Sequence, residues 1–191
     1  MSRLLELGGG TNPHPRAEVD IDRHHGRGIG AGRDVLEVMW RFHEYYDEAY
    51  CSHLIEHIPK GEPLINVMNG VWEALKPGGS FTLLFPIIGW TTPMGTGQYV
   101  RGFYPWADPT HVNYLWLPES FQYFCEANPI GLQAEYGIKL WRPMNVEPWT
   151  EQSLTAMLND YRMGPVAELG SSIWGIRGGW EGVVRLEKPR A

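Results

Sequence analysis

The tripeptide Gly8-Gly9-Gly10 constrains this chain more than any other feature. It directly follows a short strand-like run, Arg3 to Leu7, and breaks it. A second strand-like run, Ala17 to Ile21, contains Asp20 and is followed at once by Asp22. Glycine lacks a Cβ and adopts positive φ freely, so a glycine turn lets a ligand lie against bare backbone. In open α/β sheets, ligands bind outside the carboxyl ends of the strands. A carboxylate after the second strand can accept both hydroxyls of a ribose in charge-assisted bonds. The plainer reading of the same residues is a structural turn followed by an exposed acid. A nicotinamide fingerprint fits poorly, because it needs G-x-G-x-x-G opening a helix and an acid about 20 residues on. Here Pro13 stands in the place of the third glycine, and Asp20 lies only twelve residues after Gly8. Pro13 and Pro15 leave little room for a regular first helix.

Further along, residues 26–32 form a glycine-rich loop, and residues 34–46 are expected to be helical through Val35, Met39 and Phe42. Residues 48–52 read as a buried strand. The clearest helix spans Glu62 to Lys76, with Pro63 suited to a first helical position. Leu64, Met68, Val71 and Leu75 give it one apolar stripe, and Lys76-Pro77-Gly78-Gly79 stops it. Residues 80–85 form another apolar strand. Residues 118–126 and 150–162 are expected as helices, and 133–140 and 180–187 as strands. Residues 164–179 read as a glycine-bearing loop, either a mobile lid or a plain connection. Strands alternating with helices through the first half predict an open parallel sheet in a single α/β domain, residues 1–191.

Length and composition support one folded domain. The chain has 191 residues, 43% hydrophobic and 20% charged, which excludes a disordered chain. Its net charge is −6. That weighs against sequence-independent binding to a phosphate backbone, so nucleic acid is not the expected partner. The longest apolar run, near Phe81 to Ile88, falls far short of the roughly 20 residues of a membrane span. Two cysteines, Cys51 and Cys125, cannot form a disulfide framework. A cytoplasmic protein without membrane contact is therefore expected, with both cysteines in the core. The oligomeric state is not readable.

An ordered set of motifs carries a family resemblance. Residues 4–13, Leu-Leu-Glu-Leu-Gly-Gly-Gly-Thr-Asn-Pro, resemble an E-x-G-x-G-like cofactor loop. Val19-Asp20-Ile21-Asp22 resembles a second-strand acid. Residues 50–59 resemble a fourth-strand motif ending in Leu-Glu-His-Ile. Ala74-Leu75-Lys76-Pro77-Gly78-Gly79 resembles the turn that follows, and Asp108-Pro109-Thr110-His111 an Asp-x-Thr-His segment. Together, over residues 3 to 128, the chain resembles the class I S-adenosylmethionine-dependent methyltransferases of the small, type 11-like kind. The resemblance implies a Rossmann-like doubly wound sheet, mostly parallel with an antiparallel C-terminal strand. Residues 142–179 would then be an insertion between the last two strands.

The resemblance also implies site residues. Gly8 and Gly10 would approach the methionine part of S-adenosyl-L-methionine, with Glu6, Gly9 and Asn12 completing the loop. Asp20 would bind the ribose hydroxyls, with Asp22 as its substitute if the strand end is shifted. Asp34 would lie near the adenine, and Ser52 and His53 over the cofactor. Methyl transfer from a sulfonium needs mainly proximity and in-line alignment. A general base matters only where the nucleophile must lose a proton. His111 is the first candidate for that role, Asp108 its orienter or alternate, and His53 the second candidate. The aromatic segment 86–117, with Trp90, Tyr99, Phe103, Tyr104, Trp106, Tyr114 and Trp116, would cover the substrate, and Arg101 would hold an anionic acceptor. A small-molecule acceptor is expected, and no metal.

Two other readings compete. A non-catalytic member of the same fold would bind cofactor or a partner without turnover. His53-Leu54-Ile55-Glu56-His57 also spells H-x-x-E-H, a zinc hydrolase pattern. That pattern needs several turns of helix, whereas Pro59 follows closely and a strand-like run precedes it. His24-His25 reads as a solvated loop, and His14 and His43 carry no signal.

Overall fold

A computed structural model describes residues 2–38, 41–86, 110–112, 121, 123–126, 133–144, 166–167, 174–177 and 181–190. Strand β1 is Leu4–Leu7 and β2 is Ala17–Ile21. Helix α1 is Val35–Val38, β3 is Tyr46–Ser52, α2 is Glu62–Ala74 and β4 is Leu75–Pro86. The C-terminal part contributes β5 (Arg142–Pro143), β6 (Val166–Ala167), β7 (Trp174–Arg177) and β8 (Glu181–Glu187).

All eight strands join one sheet, ordered β2-β1-β3-β4-β8-β7-β6, with β5 also paired to β8. The first four are parallel, and β8 runs antiparallel to β4. The fold is thus the expected α/β, Rossmann-like sheet, mostly parallel through its first half with antiparallel C-terminal strands. The chain leaves β1 for β2 on one side, then crosses to β3 on the other. The strand order therefore reverses around β1, where a crevice opens at the carboxyl ends.

The core forms because β1, the second half of β3 from Ala49 to Cys51 and the second half of β4 from Phe81 to Phe85 are mostly apolar, as buried parallel strands require. Leu5, Leu7, Cys51, Phe81 and Leu83 are almost fully buried in it. Helix α2 buries Leu64, Val67, Met68, Val71 and Ala74 against this sheet face. Cys51 and Cys125 are both buried free thiols, as expected. Burial pushes the Cys125 thiol up to about 11. No helix among the described residues is long and apolar enough to cross a membrane.

Several elements differ from expectation, each for a local reason. The helix expected over 34–46 is described as α1 alone, and residues 42–45 are not helical. Glu44 lies at φ 45°, and the Glu44 and Tyr45 amides donate to Glu73 and Ala74 carbonyls at the end of α2. The following strand consequently begins at Tyr46. Helix α2 ends at Ala74 because Leu75 is already extended and pairs with Tyr46. Lys76 precedes Pro77, which disfavours the helical region. The expected strand 133–140 is instead a turn followed by irregular backbone. Gly137 at φ 64° closes that turn, and the Asn69 side chain on α2 holds it through the Gly137 carbonyl and the Lys139 amide.

In the expected helix 118–126, Phe121, Tyr123 and Phe124 lie in 3-10 turns and Cys125 bridges to Trp141. Parts of the expected loop 164–179 are strands β6 and β7, which pair antiparallel. The expected helix 150–162 lies outside the described residues. So do Asp108, Arg101 and the aromatic residues named in segment 86–117.

Candidate functional site

A cavity of about 730 Å³ opens where the strand order reverses. Its walls come from the loops that leave β1, β2 and β3, together with the start of α1 and with Thr110. Gly8 and Gly10 supply the first wall and adopt φ 75° and 58°, where a glycine is favoured. A Cβ on Gly8 would meet Leu54 at 2.9 Å, so the loops after β1 and β3 approach too closely for a side chain.

The acids at the end of β2 divide their work. Asp20 is fully buried beneath the glycine turn, where its Oδ1 accepts the Gly9 amide at 3.0 Å. Its Oδ2 has no hydrogen bond among the described residues, and a Cβ on Gly9 would fall 2.7 Å from it. Burial raises the Asp20 carboxyl, more than the Gly9 amide lowers it. Asp22 lies on the groove wall instead. It accepts amides from Gly10 at 3.0 Å and from His24 and His25 at 2.8 Å. Burial works upward on Asp22, but these amide bonds outweigh it and hold its carboxyl below the usual range. Asp22 is thus the ionised acid that faces the groove, and Asp20 the one that braces the turn.

Glu6 also sits below the turn, 2% exposed, accepting the His14 amide at 2.6 Å. Burial, with help from the nearby Asp20 and Asp22 charges, pushes its carboxyl up to about 7 against that amide bond. Asn12 is exposed at the turn's tip, its amide bonded to the Gly9 carbonyl, and is not on the wall. Asp34 is on the wall, but its Oδ1 caps α1 through the Leu36 amide and its Oδ2 pairs with Arg23. His24 and His25 are exposed.

At the end of β3, Ser52 is half-buried and does not line the cavity, whereas His53 does. His53 holds φ 52°, an uncommon value for a residue with a side chain, fixed by its amide bond to the Leu84 carbonyl. Its Nδ1 lies 3.4 Å from Glu56 Oε1. The segment after it makes one 3-10 turn, Ile55–His57, so the several turns of helix that a zinc hydrolase pattern needs are not present there. His111 is 4% exposed and meets the His57 ring edge-on, with centroids 4.7 Å apart. Arg33 lines the wall beside Asp34, and the wall residues His57 and Thr110, with the buried Glu56 behind them, are further parts of the site that the sequence did not single out for the groove. The order H-x-x-E-H followed by Thr-His was the only signal for them.

No protein-family model and no curated protein matches the sequence. Solved structures do resemble the fold. One is an S-adenosylmethionine-dependent methyltransferase from Archaeoglobus fulgidus, 14% identical, TM-score 0.55, covering 98% of this chain and 86% of its own. Another is the phosphoethanolamine N-methyltransferase 2 of Haemonchus contortus in complex with S-adenosyl-L-methionine, 13% identical with TM-score 0.51. It covers 99% of this chain, which spans 49% of that longer protein. A methyltransferase from Mesorhizobium loti is 16% identical, with TM-score 0.50, covering 97% of this chain and 90% of its own.

Proposed function

We propose, from the premise that this chain has the fold of the class I S-adenosylmethionine-dependent methyltransferases, that it binds S-adenosyl-L-methionine and transfers its methyl group. The observation that carries the proposal is the groove itself. It lies at the strand-order reversal, and it presents bare glycine backbone with the ionised Asp22 hydrogen-bonded beside it. Its volume, about 730 Å³, is in the range of sites for ligands of this size.

In this reading Gly8 and Gly10 take the methionine part and Asp22 takes the ribose hydroxyls. Asp20 and Glu6 hold the turn in shape from below. Asp34 and Arg33 flank the base. His53 and His57 face the transferring methyl from the β3 side. The protein aligns the acceptor with the S–CH3 bond. The acceptor's lone pair forms the new bond to carbon as the old pair leaves on sulfur, giving S-adenosylhomocysteine. His111, Asp108 and His53 remain the candidates for removing an acceptor proton, in the order the sequence suggests. A small-molecule acceptor and a cytoplasmic setting complete the proposal.

Incubating the purified chain with methyl-labelled S-adenosylmethionine and pooled small-molecule fractions tests it. Labelled product that disappears in Asp22→Ala supports transfer. Tight cofactor binding with no transfer to any fraction favours the non-catalytic reading instead.

A further inference from the structure

Beside the groove, three side chains of metal-binding chemistry converge. We propose that Glu56, His57 and His111 form a binding site for a divalent transition metal, with Zn2+ the best match; a metal-bound His111 has no lone pair for a proton, which leaves that role to Asp108 or His53. One donor atom from each lies within 4.8 Å of the other two. Two imidazoles and one carboxylate are a donor set that zinc takes in three-ligand sites, which leave a further position open.

Glu56 is the independent observation that points to an ion. It is fully buried, and neither carboxylate oxygen has a hydrogen bond among the described residues. A buried carboxylate without hydrogen bonds is costly, and pairing or metal coordination is how proteins offset that cost. The His53 imidazole, with Nδ1 at 3.4 Å, is the basic group beside Glu56 Oε1.

The backbone holds the three residues together. The Val112 amide donates to the Glu56 carbonyl at 2.9 Å, which pins the residue after His111 onto Glu56. His57 Nδ1 lies 3.2 Å from the Thr110 carbonyl and from the Thr110 hydroxyl. When Nδ1 carries the proton and donates it to the carbonyl, Nε2 keeps its lone pair for a metal. Metal-bound histidines commonly have their other nitrogen held in this way. Zinc bonds of about 2.1 Å imply donor separations of about 3.4 Å in a tetrahedron, so binding asks for side-chain shifts of about 1 Å. His57 and Thr110 also line the groove, so the site adjoins it.

The site does not depend on the methyltransferase reading, and its test separates the two. The chelator-treated chain is titrated with ZnCl2 by calorimetry, and in parallel with S-adenosylhomocysteine. One saturable zinc per chain is expected, weakened at least tenfold in His57→Ala and Glu56→Gln at unchanged circular dichroism. If Glu56→Gln does not fold, the half-buried His57→Ala decides alone. A His24→Ala/His25→Ala variant should keep the zinc. Absence of saturable zinc binding, unchanged affinity in His57→Ala, or loss confined to the His24/His25 variant overturns the proposal. Zinc uptake without S-adenosylhomocysteine binding leaves it standing and counts against the proposed cofactor.

Discussion

Gly9 and Asp20 fit each other with no room to spare, because a Cβ on Gly9 would land 2.7 Å from a buried carboxylate oxygen. Gly9→Ala must therefore push Asp20 or lift the turn. Overpacking of this kind typically costs about 1–3 kcal/mol. A fall of several degrees in thermal midpoint is expected, together with weaker cofactor binding; a variant that melts like the parent would show the turn to be loosely seated. Glu6 gives a pH signature. Its carboxyl is raised from 4.5 to about 7, so the folded state binds a proton more readily than the unfolded chain. That contribution to stability is complete below pH 4.5 and disappears as pH rises through about 7. Glu6→Gln should flatten the decline in melting temperature over that window, and identical slopes in the two proteins would refute the assignment. Asp20 shifts in the same direction, so part of the slope should remain in Glu6→Gln.

Among the elements, α2 was readable because its apolar stripe, Pro63 and the Lys-Pro-Gly-Gly stop all agree. Met68 sits at the centre of its buried face, fully inaccessible. Met68→Ala should cost about 2–5 kcal/mol, measured by urea unfolding, and a change below 1 kcal/mol would mean that α2 does not pack as described. The elements that were misread share a cause. Residues 34–46 have helical spacing, yet the Glu44 and Tyr45 amides are drawn to the carbonyl end of α2. Residues 133–140 have strand-like composition, yet Asn69 ties them into a turn over α2. Both outcomes depend on a partner distant in sequence, which periodicity does not report. The site divides along the same line. The glycine turn and the acids after it are local and could be read directly. The convergence of Glu56 and His57 with His111 is not local, since it depends on the 110–112 segment docking onto the turn after β3.

For the molecule as a whole, one arrangement underlies the account. The parallel strands β2-β1-β3-β4 and the antiparallel β8 fix a crevice around the end of β1, and the groove residues come from the end of β2, the loops leaving that end of the sheet, the start of α1 and Thr110. Buried Lys188, just past β8, anchors this frame by donating to Glu44 at 3.1 Å and to the Leu75 carbonyl at 2.9 Å. The net charge of −6 suits a cationic sulfonium ligand better than a polyanion. Calorimetric titration of the folded chain with S-adenosyl-L-methionine, alongside Asp22→Ala, probes this arrangement most directly. One site is expected, with a dissociation constant on the order of micromolar, weakened at least tenfold, about 1.4 kcal/mol, by the substitution. A folded chain that gives no heat at millimolar ligand, or an Asp22→Ala protein that binds as tightly as the parent, would contradict it.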